Sequence, residues 1–212
     1  MPELPIRFVD ELIPLDSLPL DPAGIDASIA MRERGYEVFL GLRPDEWRQV
    51  NALARQRGIQ EFCPNDLLQR FGDEEMSDNW VGQLNAFFQL RKIGGSAMHG
   101  YGWTDPEYHD TLPDCDNQFA VRLSEELAGQ GLGKLFTAAI ISGSMALGVR
   151  RIGLMTWEDN IAAWKSYEKA GAELITSKPS QRMTIVSSGR RIRRRQITAN
   201  RLHMQFTQTL TD

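Results

Sequence analysis

FAVRLSEELAGQGLGK, residues 119–134, changes its periodicity halfway along. Phe119, Val121 and Leu123 alternate with Ala120, Arg122 and Ser124, a period of two that predicts a strand. Glycines then stand at 129, 131 and 133, and a helical pattern takes over. Leu132, Leu135, Phe136, Ala139, Ile140, Gly143 and Leu147 recur at three- and four-residue spacing, which places them on one buried face. That helix is expected to stop near Gly148. A second strand, Ile152–Trp157, comes next, and Glu158, Asp159 and Asn160 lead into a second helix that ends at Gly171.

A glycine-rich turn between a strand and a helix suits phosphate. Glycine lacks a Cβ, so the backbone can approach a ligand closely and adopt positive φ. The first N–H groups of the helix have no partner within it, and the helix dipole favours an anion at that end. Lys134 adds a full charge one turn in. The plainer reading is a tight turn whose glycines serve strand–helix packing alone. A P-loop is excluded, because Ala128 stands where its first glycine belongs and Leu135 replaces the hydroxyl after Lys134. A dinucleotide fingerprint needs a third glycine where this chain has Lys134. The acidic pair Glu158-Asp159 after the next strand mimics that motif and keeps a nicotinamide-dependent oxidoreductase as a rival.

These residues resemble the GNAT superfamily of acyl-CoA-dependent N-acyltransferases. Its pyrophosphate loop, Arg/Gln-x-x-Gly-x-Gly/Ala, falls on residues 128–133: Gly131 and Gly133 match, and the leading position is Ala128. Its next signature, Asn-x-x-Ala-x-x-x-Tyr-x-x-x-Gly, falls on Asn160, Ala163, Tyr167 and Gly171, with Ala172 where an aromatic is usual. The resemblance extends over residues 97–210. It implies an α/β (α+β) fold with a mixed, mostly antiparallel central sheet, helices on both faces, and a splay between the Phe119 and Ile152 strands. It also implies acetyl-CoA as acyl donor, with no metal. The pantetheine arm would lie in the splay beside Leu123, and the pyrophosphate on Gly129, Gln130, Gly131, Leu132, Gly133 and Lys134, with Asn160 flanking. Tyr167 matches the family's general acid; its plainer role is a packed aromatic on an amphipathic helix beside Ala163 and Ala170.

Composition narrows the class. A chain of 212 residues with 42% hydrophobic content suits one globular domain with a sizeable core. There is no run of eighteen apolar residues and no charged-then-apolar start, so a reduced cytoplasm is the expected location and a membrane is not an expected partner. Two cysteines, at 63 and 115, are too few for a disulfide scaffold, and His99, His109 and His203 lack metal-ligand spacing. The net charge of −4 divides unevenly: residues 1–80 carry −8 and residues 81–212 carry +4. That asymmetry suits a phosphorylated cofactor and a cationic substrate, or simply solvated surface of both signs.

In chain order, residues 1–35 hold five of the ten prolines and read as an extended, partly ordered arm with a short helix over Asp26–Arg34. The remaining residues, 36–212, read as a single domain. Tyr36–Leu42 predicts a strand. Pro44 opens a helix carrying Trp47, Val50, Leu53 and Ala54, and a second short helix near Pro64-Asn65 carries Leu67, Leu68 and Phe71. By resemblance, these two helices wall the acceptor site. Asp73, Glu74, Glu75 and Asp78 then fit either a rim for a cationic acceptor or, the favoured reading, a solvated loop.

Leu84–Arg91 and Ser96–Thr104 predict a hairpin around Gly94-Gly95. Gly100 and Gly102 within the second strand point to a close approach. His99 fits a base near the acceptor or, better, a satisfied half-buried histidine. Leu174–Thr176, Met183–Ser187 and Arg201–Leu210 are further strand-like runs. Arg190, Arg191, Arg193, Arg194 and Arg195 fit RNA contact or a charged edge that resists aggregation, and without interleaved aromatics the charged edge is favoured.

The leading expectation is transfer of an acetyl group to an amine of an unidentified small-molecule or peptide acceptor, with nucleic acid disfavoured and a homodimer left open. The base is left open among Glu125, Glu126, Glu158, Asp116 and His99. The competing class is a GNAT-like module that binds acyl-CoA or nucleic acid without catalysis.

Overall fold

A computed structural model describes residues 9–54, 56, 84–106, 112, 115, 117–188 and 191–207, with side chains described at all of these except 47, 51, 183–188 and 191–195. Among the described residues eight strands form one sheet: β1 (Ile13–Pro14), β2 (Tyr36–Leu40), β3 (Ala86–Lys92), β4 (Met98–Asp105), β5 (Asn117–Leu123), β6 (Arg151–Trp157), β7 (Glu173–Ser188) and β8 (Arg191–Thr207). Their order is β1-β2-β3-β4-β5-β6-β8-β7. Every neighbouring pair is antiparallel except β5 with β6. The mixed, mostly antiparallel sheet is therefore present as expected.

Helices cover both faces. Helices α1 (Pro22–Glu33), α3 (Leu132–Ala146) and α4 (Ile161–Lys169) share a core with Phe88, Leu90, Ile152 and Leu154. On the opposite face α2 (Trp47–Ala54) buries Val50, Leu53 and Ala54 against Phe87, Tyr101 and Trp103. The alternation of Phe87 and Phe88 on β3 feeds one aromatic to each core, as the period of two requires.

The helix expected at Asp26 begins four residues earlier. The Asp21 side chain accepts from Gly24 N at 2.8 Å and Pro22 opens the first turn, two strong helix-start signals within a proline-rich segment. Leu15, Ala27 and Met31 are buried in the main core, so this stretch is a packed helix rather than an extended run. Helix α1 lies antiparallel on α3. Ser142 Oγ donates to Asp21 Oδ1 at 2.7 Å and accepts from Asp21 N at 3.2 Å. Only glycine fits at 24, because a Cβ there would stand 2.4 Å from the Cβ of Ser142.

A buried polar cluster fixes the turn before α2. Glu46 accepts from Arg43 N (3.0 Å), Arg43 Nε (2.9 Å) and Gln89 Nε2 (2.8 Å), and also from Arg91 Nη2. Burial alone would raise the Glu46 carboxyl, but these hydrogen bonds, chiefly from Gln89, and the Arg91 charge hold it below its ordinary value.

Beyond α4 the three expected strand runs fuse into two long strands. β8 pairs with β6 only over Arg201–Thr207, and residues 191–200 continue with 179–188 as a two-stranded ribbon past the sheet. Pro179 and the arginines break the apolar alternation there, so hydrophobic pattern alone could not reveal a ladder maintained by backbone hydrogen bonds. The expected helix at 64–71, the acidic run 73–78, Asp116 and Arg190 lie outside the described residues.

Candidate functional site

The parallel strands β5 and β6 pair at only two positions, Asn117 with Ile152 and Gln118 with Gly153. Asn117 also stitches this end, donating from Nδ2 to Arg151 O at 3.5 Å and accepting at Oδ1 from Asn85 Nδ2. Beyond it, β5 stays paired to β4 as far as Leu123, and β6 to β8 as far as Trp157. Their facing edges therefore diverge after the second pair. Such edges present unpaired N–H and C=O groups that an extended ligand can meet as a strand would.

The glycine turn lies at the C-terminal end of β5. After Leu123 the chain turns through a 3₁₀ segment, Glu125–Leu127, and Gly129 and Gly131 then take φ of +74° and +71°. These left-handed angles explain two of the three glycines. The third, Gly133, is helical: a Cβ there would stand 3.2 Å from Ser166 Oγ and 3.6 Å from Leu123 Cδ1. Its task is to let α4 close against α3, the packing role, whereas Gly129 and Gly131 serve the left-handed turn itself. Gly131 caps α3, whose first turn contains no acidic residue. The first N–H groups of that helix and Lys134, which is exposed, make a positive end.

Each expected site residue has a definite place. Leu123 ends β5 half-buried beneath Gly100, where a Cβ would overlap its Cδ2 at 2.5 Å. Gln130 braces the turn: its Nε2 donates to Glu126 O at 2.7 Å and its carbonyl accepts from Arg34 Nη1 at 3.3 Å. Leu132 puts its side chain in the core, leaving only its backbone for a ligand. Asn160 opens α4 through its carbonyl, which accepts from Ala163 N (3.1 Å) and Trp164 N (3.2 Å). Tyr167 is buried on α4, its ring edge-on to Phe119 of β5 with centroids 5.7 Å apart. Its neighbour Ser166 is the residue that Gly133 admits, so the turn and the tyrosine helix meet directly.

The candidate bases divide. Glu125 lies past the end of β5 at Leu123, its side chain exposed in the 3₁₀ turn. Its backbone N–H donates to Gln56 Oε1 at 2.9 Å. His99 Nδ1 pairs with Glu126 Oε1, and its ring stands edge-on to Tyr36 with centroids 5.9 Å apart, the satisfied half-buried histidine favoured from sequence. Glu158 accepts from Asn200 Nδ2 at 2.8 Å. The close approach anticipated at Gly100 and Gly102 comes from the protein itself, since Leu123 and Ile140 fill the space their side chains would take. Sequence reasoning missed Arg34, which reaches the turn from α1 and leaves no periodic signal. It also missed Trp157, whose ring lies under Arg182 and Arg201 at 5.1 and 5.5 Å.

Among the described residues no group of three His, Cys, Asp or Glu is placed to hold a metal ion. Nor, among them, is any helix long and apolar enough to cross a membrane.

No family model matches the sequence. Two curated relatives are mycothiol acetyltransferases. That of Pseudarthrobacter chlorophenolicus is 29% identical over 62% of this chain and 39% of its own length. That of Mycobacteroides abscessus is 26% identical over 69% of this chain and 46% of its own length. The chain thus spans less than half of each. Among solved structures, a ribosomal-protein-S5-alanine acetyltransferase from Vibrio fischeri has a TM-score of 0.63 at 11% identity, covering 84% of this chain and 96% of its own. An aminoglycoside acetyltransferase solved with coenzyme A and kanamycin has 0.55 at 17% identity, covering 81% and 95%. With its sheet parted between the two parallel strands, the chain shares the fold of these solved acetyltransferases.

Proposed function

We propose that the protein is an N-acyltransferase that moves an acetyl group from acetyl-CoA to an amine. One observation carries this reading: the gap between β5 and β6 opens beside a glycine turn whose helix end is positive, with Tyr167 buried on the helix that closes against that turn. The facing strand edges fit an extended, amide-bearing arm, and the turn fits a diphosphate. The names of the curated relatives and of the fold neighbours support the same activity.

The thioester supplies the acyl group. The amine nitrogen forms the new C–N bond, the C–S bond breaks, and the products are an amide and a free thiol. The chain contributes position first, because holding the two reactants in line removes most of the entropic barrier. Tyr167 is the proposed proton donor to the departing sulfur. Lys134 and the first N–H groups of α3 would hold the phosphates, and the free edge of β5 would hold the pantetheine arm. We infer a small-molecule amine as acceptor, in keeping with the neighbour crystallised with kanamycin, and a cytoplasmic setting.

Isothermal titration with acetyl-CoA and NADH tests the donor, and release of free CoA across polyamines, aminoglycosides, amino acids and peptide N-termini tests the transfer. Binding of acetyl-CoA with amine-dependent CoA release is the expected result. Tighter binding of NADH would overturn the proposal.

A further inference from the structure

The leading position of the loop signature is Ala128, which has no polar side chain to offer. Another residue stands at the turn. Arg34 follows the last residue of α1, and its Nη1 donates to Gln130 O at 3.3 Å. A Cβ built on Gly131, the residue that caps α3, would lie 3.5 Å from that same nitrogen.

Three features hold Arg34 in this position. Gly35, at φ +80°, ends the helix immediately behind it, and Ile93 N donates to Gly35 O at 2.9 Å, tying the helix end to the sheet. At the other end of α1, the Asp21–Ser142 hydrogen bonds set its register on α3. Thirteen residues from 21 to 34 run about 20 Å along the helix, and eleven from 142 back to 131 about 17 Å, so the antiparallel pair brings residue 34 level with the start of α3.

Among the described residues no carboxylate offsets the charge there. Arg32, its neighbour on α1, is paired with Asp16 at 2.7 Å, whereas Arg34 has no carboxylate within ion-pair distance among the described residues. A cation beside a helix N-terminus is unfavourable unless an anion joins it. A guanidinium carries five donors, and the bond to Gln130 uses one, leaving the others for phosphate oxygens.

We propose that Arg34 is a phosphate-binding residue that holds the diphosphate of CoA from α1, taking the part of the side chain missing at Ala128. This rests on the acetyl-CoA reading above. The diphosphate is the assigned group because the guanidinium lies against Gly131, at the mouth where the first N–H groups of α3 emerge.

The test is titration calorimetry of wild type, Arg34→Gln and Arg34→Lys with CoA, dephospho-CoA and pantetheine. Arg34→Gln should weaken CoA and dephospho-CoA alike by roughly ten- to hundredfold, the value of one charge-assisted bond, and leave pantetheine unchanged. Arg34→Lys should fall between, and adding Ala128→Arg to Arg34→Gln should recover part of the loss. Equal CoA affinity in wild type and Arg34→Gln, with normal melting of both, would overturn the role of Arg34 and leave the cofactor reading standing. Loss for CoA but not for dephospho-CoA would overturn the diphosphate assignment. Wild type that binds none of the three would overturn this inference together with the reading beneath it.

Discussion

The ring of Tyr167 stands at 89° to that of Phe119, edge to face, with 5.7 Å between centroids. The pair joins α4 to β5, one side of the gap, and a phenylalanine at 167 keeps this edge-to-face ring contact. Tyr167→Phe should therefore fold and bind acetyl-CoA like wild type. If the hydroxyl protonates the leaving sulfur, turnover drops by roughly 10²- to 10⁴-fold. Steady-state CoA release with a working amine, compared between the two proteins, measures it. Equal turnover would reduce Tyr167 to a core aromatic and favour a module that binds without catalysing.

Gly131→Glu should abolish CoA binding. The residue caps α3 at φ +71°, which a side-chain-bearing residue adopts at a cost of about 1–3 kcal/mol, and the new carboxylate would compete for the positive helix end. Calorimetry should show no heat with CoA while thermal melting shows a folded protein. Retained affinity would place the phosphates elsewhere.

Glu46→Gln should destabilise the protein in a pH-dependent way. At neutral pH it leaves Arg91 buried without its counter-charge, a loss of about 3–5 kcal/mol. The folded-state pKa of Glu46 lies below its unfolded value, so its contribution is complete above the ordinary glutamate range. It is lost as pH falls through the depressed folded value. The melting temperatures of wild type and variant should thus differ most near pH 7 and converge in acid. A constant difference across that range would show that the ionised carboxylate is not what stabilises the turn.

Gly24→Ala should cost about 1–3 kcal/mol, because its new methyl meets Ser142 Cβ at 2.4 Å and forces α1 away from α3. Ser142→Gly alone should also destabilise, through the lost bonds to Asp21. Combined, the two losses should be less than additive, since the second removes the atoms that the first strikes. A double-mutant cycle by urea unfolding reads the coupling, and strict additivity would count against the close contact.

The strand–glycine–helix unit and its sequel at Asn160–Gly171 were legible because local chemistry dictates them: alternation, positive-φ glycines and amphipathic spacing all act within a few residues. The mostly antiparallel sheet and the gap between β5 and β6 came with the family resemblance, not from any residue pattern. Asp21 and Pro22 announced α1 plainly, yet the density of prolines around them drew attention to extended chain instead. Gly100 and Gly102 signalled a close approach, and only the packed core could say that Leu123 and Ile140 were the ones approaching. Arg34 and the Glu46–Gln89–Arg91 cluster join residues 96 and up to 45 positions apart, a distance over which no sequence period operates.

Two residue pairs are the whole backbone seam between β5 and β6. Strands β1–β5 on one side and β6–β8 on the other are each laddered internally, so the sheet amounts to two leaves sharing a short hem at Asn117 and Gln118. Elsewhere the leaves meet through side chains of a shared core, Phe119 against Phe206 among them, with Phe136, Ile140 and Tyr167 of the covering helices in the same cluster. Amide hydrogens facing the seam from 119 to 123 and from 154 to 157 then have no strand to shelter them. Their exchange with solvent should be fast in the free protein, and it should slow if an extended ligand lies between the leaves and pairs there as a ninth strand.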